Sequence, residues 1–210
     1  MAPLEETIAR LRARLLAPTQ APAPAYSDFD LLPQLRPPGP LGRKDASVLV
    51  PLIARPEGLS VLLTRRTADM TTHAGQIAFP GGRRQAEDPD AVATALREAQ
   101  EEVGLAPERV EVLGLVEAYE TVTEYRVTPV VGLVRDPGPL APDPREVAAI
   151  FEAPFAFLMD PANLQRHERE WQGMQRAYYA IPYQEHYIWG ATAGMLRALA
   201  LKIAARGEAA

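Results

Sequence analysis

The 210-residue sequence has no cysteine, only two lysines among its 22 basic residues, and an aromatic content of 7%. The absence of cysteine excludes disulfides, thiolate metal sites and a cysteine nucleophile. No apolar run reaches the roughly 18 residues of a membrane-spanning helix, so no membrane span is expected. The first residues lack the apolar segment of a signal peptide, and a cytoplasmic location is predicted. The net charge of −5 does not favour a nucleic-acid-binding surface.

What the sequence has in quantity is apolar residues, at 47%, and proline, with 21 residues. This length and apolar content suit one globular domain with a substantial core. Leucine and isoleucine recur at helical spacing over residues 3–16, which predicts an amphipathic helix. Its apolar stripe is expected to pack within the same chain, with a homodimer contact as the alternative. Prolines crowd residues 17–41 and predict an extended connector without regular structure.

Residues 1–41 are therefore assigned to an N-terminal helix and connector, and residues 42–210 to the main domain. The runs 46–54 and 59–64 predict a β-hairpin, and Pro51 inside the first run predicts an edge strand or a bulge. Because strands outnumber helices, the pattern predicts an α+β fold with a mixed sheet. The other predicted elements are strands over 76–79, 110–119, 126–134 and 177–183, a strand and helical turn over 146–158, and a helix over 190–205.

A glycine pair, Gly81 and Gly82, forms a predicted loop that leads into a further helix. Asp88 is the expected N-cap of that helix and Pro89 its first residue. Gly104 is the expected left-handed residue at its end. The segment therefore reads as a loop, a short amphipathic helix and a second loop.

Three glutamates, Glu98, Glu101 and Glu102, project together from the last turns of this helix. There they repel one another and face the negative end of the helix dipole, which destabilises the helix. A bound divalent cation reverses that argument, since Mg²⁺ takes carboxylate oxygens. A solvated acidic face is the alternative interpretation. The glycine pair favours the metal, because glycine lets the backbone approach a phosphate or bind a metal through a carbonyl.

The segment resembles the Nudix signature, in which a glycine loop precedes an Arg-Glu and a Glu-Glu pair on a short helix. The loop is one residue longer here, and Asp88 follows Gly82 where the signature has its first glutamate. The resemblance implies the Nudix fold, a mixed sheet sandwiched between helices with a loop–helix–loop signature. The matching residues are Gly82, Arg97, Glu98, Ala99, Glu101, Glu102, Gly104 and Leu105.

The preceding segment, residues 62–82, bears on the substrate. From the residues alone, Arg66 and His73 are candidates for contacting a phosphate. The alternatives are that Arg66 solvates a strand end and that His73 caps a loop. The segment is similar to the second motif of the coenzyme A pyrophosphatase branch of Nudix hydrolases, and residues 188–193 are similar to another mark of that branch. The branch commonly has arginine where this chain has Thr71.

This resemblance implies metal-dependent hydrolysis of coenzyme A or a derivative to 4′-phosphopantetheine and adenosine 3′,5′-bisphosphate. It implies Mg²⁺ or Mn²⁺ as cofactor and a small molecule as the binding partner. Arg97 is expected to orient Glu101, and the general base is Glu98 or Glu146, with Glu117, Glu120 and Glu124 as further carboxylates near the metals. The expected metal ligands are Gly82, Glu98, Glu101 and Glu102, and the expected substrate contacts are Arg65, Arg66, His73 and Gly81.

Two rival interpretations stay open at this point. One is a Nudix hydrolase of another specificity, acting on ADP-ribose, a dinucleotide or a nucleoside triphosphate. The other is a catalytically silent nucleotide-binding module. A catalytically silent module need not keep the metal-binding glutamates, whereas this sequence keeps Glu98, Glu101 and Glu102 together with Arg97, which argues for an active enzyme.

Overall fold

The computed structural model describes residues 2–39, 44–68, 74–171 and 174–205. Within them, nine strands form one mixed sheet and three form a second, antiparallel sheet. The helices are α1 (Ala2–Arg14), α2 (Ala91–Val103), α3 (Phe155–Met159) and α4 (Ala191–Ala204). The strands are β1 (Pro24–Ser27), β2 (Lys44–Arg55), β3 (Gly58–Arg66), β4 (Ile77–Ala78), β5 (Gly81–Arg83), β6 (Glu111–Leu115), β7 (Ala118–Glu120), β8 (Tyr125–Val134), β9 (Val147–Pro154), β10 (Gln165–Trp171), β11 (Met174–Tyr183) and β12 (His186–Trp189).

The large sheet is built around the long parallel pair of β2 and β8. Its strand order is β1–β7–β8–β2–β3–β4, with β5 paired to β2, β6 to β8, and β9 to β3. The predicted hairpin is present as the antiparallel pair β2 and β3. The β1–β7 pair is also parallel, so the sheet is mixed as predicted.

Helices cover both faces of this sheet. On one face, Ala95, Ala99 and Val103 of α2 join a buried cluster with strand residues that include Leu49 and Leu62. On the other face, α1 and α4 share a second cluster with the alternate strand residues. The predicted α+β fold, a mixed sheet between helices, is confirmed.

The N-terminal helix packs within its own chain, which was the first of the two interpretations. Ile8 is 3% exposed and Leu11 is fully buried, and both lie in the cluster below α4. None of the described helices is long and apolar enough to cross a membrane.

Two expectations based on proline were wrong. The connector contains β1, which pairs with β7 at the edge of the sheet. An edge strand needs few backbone N–H donors, so nearby prolines do not prevent it. The pairing uses the Asp28 N–H, which donates to the Glu120 carbonyl, and the Ala118 N–H, which donates to the Ala23 carbonyl. Pro51 lies in a central strand, where β2 changes partner from β5 (residues 46–48) to β3 (residues 52–55). In that gap, the missing N–H of proline removes no ladder bond.

Other elements differ from the prediction in detail. The run 110–119 is divided into β6 and β7, with a register shift in the pairing of β6 near Gly114. Strands β10 and β12 were not predicted; charged residues fill much of β10, and β12 has four residues. The strand and helical turn expected over 146–158 are present as β9 and α3, and the helix expected over 190–205 as α4.

Candidate active site

The start of α2 differs from the prediction. Asp90, not Asp88, is the N-cap: its side chain accepts a hydrogen bond from the Ala93 N–H at 2.8 Å. Gly104 ends the helix at a φ of +71°, as predicted. The glycine pair also differs from its predicted loop conformation, since both glycines lie in strand β5 beside β2.

Asp88 is buried and serves as the partner of Arg97. The Arg97 guanidinium donates to both Asp88 carboxylate oxygens, at 3.0 and 2.9 Å. These bonds and the Gln85 N–H hold the pKa of Asp88 well below its usual range. The pair raises the pKa of Arg97 in turn. Sequence reasoning missed this role, and the available signal was the place of Asp88 in the signature, where a glutamate is expected.

Arg97 also contacts other residues of α2 and β5. Its Nη1 lies 2.9 Å from Glu98 Oε1 and donates to Glu101 Oε2 at 3.0 Å. Its Nη2 donates to the Arg83 carbonyl at 3.2 Å, which joins α2 to β5. Arg97 therefore contacts Glu101 as expected, and it contacts Glu98 and Asp88 as well.

The glycine pair brings β5 close to the glutamates of α2. The Gly81 N–H donates to Glu102 Oε2 at 3.2 Å. A Cβ built on Gly82 would lie 2.6 Å from the Glu98 carboxylate, which is closer than real Cβ contacts. A Cβ on Gly81 would lie 2.5 Å from the Ser47 carbonyl. A side chain at Gly81 would collide with the backbone of β2, and one at Gly82 would displace the Glu98 carboxylate, which explains the glycine pair physically.

The ionisable side chain of Glu102 is almost completely buried. Its side chain is 5% exposed, and burial raises its pKa from 4.5 to about 7. The Gly81 N–H and Arg66 oppose this rise, while Glu146 and Glu98 add to it by repulsion. Burial also raises the pKa of Glu98, against the opposing hydrogen bond from Arg97.

Arg66, at the end of β3, lies between two of these carboxylates. Its Nη1 is 3.6 Å from Glu102 Oε1 and its Nη2 is 3.8 Å from Glu146 Oε2. The Arg66 side chain is 20% exposed and that of Glu146 is 48% exposed. The predicted residues Arg66, Gly81, Gly82, Glu98, Glu102 and Glu146 therefore share one region of the surface.

A loop fixes the backbone positions of these residues relative to one another. Asp143 N–H donates to the Glu102 carbonyl at 2.9 Å, and the Asp143 carbonyl accepts from the N–H groups of Glu146 and Val147. The Thr67 N–H donates to the Glu146 carbonyl at 3.0 Å. The sequence analysis did not predict that this loop places Glu146.

Other predicted residues lie apart from this region. Glu101 is 57% exposed and turned toward Arg97. Arg65 pairs in the sheet with Ile77, whose side chain belongs to the cluster below α4, so it is not brought to the carboxylates. His73 and Thr71 lie outside the described residues.

The further carboxylates considered from the sequence have other partners. Glu117 is paired with Lys202 of α4, and Glu120 is buried and paired with Arg36, each at 2.5 Å. Glu124, with a φ of +66°, occupies the turn before β8.

A divalent cation needs several hard oxygen donors held close together. Among the described residues, no group of three or more His, Asp or Glu side chains is gathered closely enough to hold a metal ion. Glu98 and Glu102 nevertheless offer hard oxygen donors one helical turn apart. The Gly82 backbone, with no Cβ, lies directly against the Glu98 carboxylate. The carboxylates of Glu102 and Glu146 lie 3.6 and 3.8 Å from the guanidinium of Arg66. The donor types of Glu98, Glu102 and Gly82 therefore suit a hard divalent cation. Side-chain rotation is needed to bring these donors around one ion.

Known proteins are similar in sequence to most of this chain. The sequence model of the NUDIX domain matches residues 43–181, more than half of the chain. The chain is 41% identical to an uncharacterized Nudix hydrolase, NudL, of Cronobacter sakazakii, over 84% of this chain and 92% of that protein. It is 42% identical to NudL of Pectobacterium atrosepticum, over 87% and 96%. Among solved structures, a Nudix hydrolase of M. smegmatis, RenU, is 27% identical with a TM-score of 0.47, over 55% of this chain and 73% of that one.

Proposed function

The chain belongs to the Nudix family of hydrolases, which act on pyrophosphate bonds, and from that premise we propose that it cleaves the diphosphate of coenzyme A or its derivatives. The products are 4′-phosphopantetheine and adenosine 3′,5′-bisphosphate. The two sequence marks of the coenzyme A branch, residues 62–82 and 188–193, support this substrate. Thr192 Oγ1 donates to the Ile77 carbonyl at 3.0 Å in a buried position, so the two marks are in contact. The observation on which the proposal rests is the presence of both segments in one chain. Their contact is a packing contact.

Members of the family generally use divalent metal ions. In this chain, Glu98, Glu102 and the Gly82 carbonyl would hold Mg²⁺ or Mn²⁺, and Glu101 would join them after turning away from Arg97. When bound, such an ion neutralises diphosphate charge and lowers the pKa of water.

Arg66 is assigned to the diphosphate. Its guanidinium is the cation nearest to Glu102 and Glu146 among the described residues. Arginine binds phosphate oxygens in a bidentate manner. A phosphate held there is placed beside the glutamates of α2, which orients the bond to be cleaved.

The general base is Glu146 or Glu98. Glu146 is half exposed beside Arg66, so it is open to a water molecule at the same place as the phosphate. Glu98 is held by Arg97 and is less accessible. We favour Glu146: it removes a proton from the attacking water, the water oxygen bonds to one phosphorus, and the bridging oxygen leaves with the other phosphate.

Arg97 is a positioning residue. It holds Glu98 and Glu101 on one side and is itself held by Asp88 on the other. A guanidinium with three acidic partners fixes the direction of the Glu98 carboxylate, and it has no donor directed to the substrate in this account.

A substrate panel tests the proposal. We expect kcat/KM for coenzyme A with Mn²⁺ to exceed that for ADP-ribose, a dinucleotide and a nucleoside triphosphate by at least tenfold. The Glu102→Gln variant, prepared in the same way, controls for contaminating hydrolases. Preference for ADP-ribose would favour the alternative specificity and contradict the coenzyme A proposal. Hydrolysis of none of the panel would favour a silent nucleotide-binding module.

A further inference from the structure

Arg66 is attracted to two carboxylates without forming a hydrogen bond to either. The separations of 3.6 Å to Glu102 and 3.8 Å to Glu146 exceed hydrogen-bond length. Its Nε is buried and has no hydrogen-bond partner within the described part of the chain. The guanidinium is thus held by charge, and none of its donors forms a hydrogen bond within the described residues.

The backbone around Arg66 leaves the side chain as the part that can move. The Arg66 N–H donates to the Gln76 carbonyl at 2.9 Å, and the residue pairs with Val147 across β3 and β9. The loop through Asp143 fixes Glu102 and Glu146 at the same time. A change of partner at Arg66 therefore needs only side-chain rotation.

A guanidinium and a divalent cation repel each other when both lie against Glu102, whose Oε2 already accepts from the Gly81 N–H and whose Oε1 faces Arg66. Magnesium binds carboxylate oxygens at about 2.1 Å and carries twice the charge of arginine. An arginine turned away from Glu102 has a buried donor that needs an acceptor, because an unpaired buried donor is costly. A diphosphate supplies such acceptors, with the planar fork geometry that arginine matches.

We propose that Arg66, an internal counter-ion of Glu102 and Glu146, competes with the divalent metal for Glu102, and that it turns to the diphosphate when the metal binds. Metal and diphosphate then bind cooperatively, each favouring the same position of Arg66. By linkage, the diphosphate tightens metal binding by the factor by which the metal tightens diphosphate binding. The inference rests on the proposed function only in taking Glu102 as a metal ligand and a diphosphate as the anion.

Calorimetric titration with Mn²⁺ tests the competition without any substrate turnover. We expect Arg66→Met to bind Mn²⁺ at least fivefold more tightly than the wild type, at the lower end of usual coupling factors. Arg65→Met is the matched control, because Arg65 is the neighbouring arginine, is exposed and lies toward the other face of the sheet. Its Mn²⁺ affinity should equal that of the wild type. Unchanged or weaker Mn²⁺ binding by Arg66→Met would overturn the proposal.

Arg66→Lys tests whether charge is what opposes the metal. The Arg66 guanidinium forms no hydrogen bond to Glu102 or Glu146, so a lysine ammonium at this position should oppose the metal in the same way. We expect this variant to bind Mn²⁺ with about the affinity of the wild type, unlike Arg66→Met. Mn²⁺ binding as tight as that of Arg66→Met would contradict competition by charge.

Cooperativity is measured with α,β-methylene-ADP, a diphosphate that is not cleaved. In the wild type, we expect it to tighten Mn²⁺ binding at least fivefold. In Arg66→Met this factor should be smaller, because only the direct attraction between the ion and the diphosphate remains. Equal factors in the two proteins would contradict the role of Arg66. These binding results are independent of whether coenzyme A is the substrate, so failure of the two proposals can be told apart.

A measurement on the unmodified protein guards against variants that fold poorly. The Arg66 Nε–H NMR resonance should move when Mg²⁺ is added and move again with α,β-methylene-ADP, while that of Arg65 stays in place. No response of Arg66 to Mg²⁺ at saturation would refute the change of partner.

Discussion

Replacing Glu102 by glutamine removes a buried charge and keeps the shape of the side chain. The glutamine carbonyl can still accept the hydrogen bond that Gly81 N–H donates to Glu102 at 3.2 Å. The substitution therefore leaves the contact with β5 intact. It removes a proposed metal ligand and the energetic cost of an ionised carboxylate that is 5% exposed.

The size of that cost follows from the pKa of Glu102, which burial raises from 4.5 to about 7. A tenfold change in a proton-binding constant corresponds to about 1.4 kcal/mol, so the rise in this pKa is worth about 3 kcal/mol. Because the pKa is raised in the folded protein, the folded state binds the Glu102 proton more tightly than the unfolded chain does. The resulting stabilisation is fully present below pH 4.5. It is lost as the pH rises through about 7.

The assay is denaturant unfolding of metal-free protein, in chelator, at about pH 4.5 and about pH 8.5. We expect Glu102→Gln to match the wild type at the lower pH and to exceed its free energy of unfolding by up to about 3 kcal/mol at the higher pH. Glu101→Gln is the matched control, because Glu101 is the adjacent residue and is 57% exposed. It should show no such dependence on pH.

Saturating Mn²⁺ should reverse the order of stabilities. A ligand at about 1,000 times its Kd stabilises the folded state by about 4.1 kcal/mol, which exceeds the advantage of up to about 3 kcal/mol that the variant has at the higher pH. The wild type should gain this amount, and Glu102→Gln should gain little. A difference between variant and wild type that is the same at both pH values would refute the assignment of Glu102 as the buried ionisable group.

The other predictions concern the geometry around α2. Gly82→Ala should lower kcat by about a hundredfold, because a Cβ 2.6 Å from the Glu98 carboxylate displaces it by almost 1 Å; a smaller loss than tenfold would count against this packing. Asp88→Ala should lower the free energy of unfolding by about 3 kcal/mol, because it leaves Arg97 without its buried partner. Asp90→Ala should cost only about 1 kcal/mol through the lost N-cap and spare kcat; the reverse order would restore Asp88 as the cap. Glu146→Gln should lower kcat at unchanged Mn²⁺ affinity, measured by steady-state kinetics and calorimetry, and an activity equal to the wild type would remove Glu146 as the base.

The glutamates of α2 were predictable because helical spacing and the signature are local properties of the sequence. Glu98 and Glu102 are one turn apart in any helix, so their shared side follows from the sequence. The family assignment followed in the same way. The stripe that packs α2 on the sheet was likewise predicted from periodicity.

Long-range contacts decided what the sequence did not reveal. Asp88 is a residue type that favours the N-cap position. Only the folded structure shows that the Arg97 side chain donates a hydrogen bond to it. Pro51 is tolerated in a central strand because the pairing of β2 with β5 ends before it and the pairing of β2 with β3 begins after it. Glu146 approaches Arg66 through the loop that Asp143 organises, which no local pattern encodes.

The most direct test of the central claim is the identification by mass spectrometry of the products formed from coenzyme A by the purified protein. We expect 4′-phosphopantetheine and adenosine 3′,5′-bisphosphate in equal amounts with Mn²⁺ or Mg²⁺, and neither product with chelator. Intact coenzyme A in the presence of metal, under conditions in which the protein cleaves another nucleoside diphosphate derivative, would contradict the account.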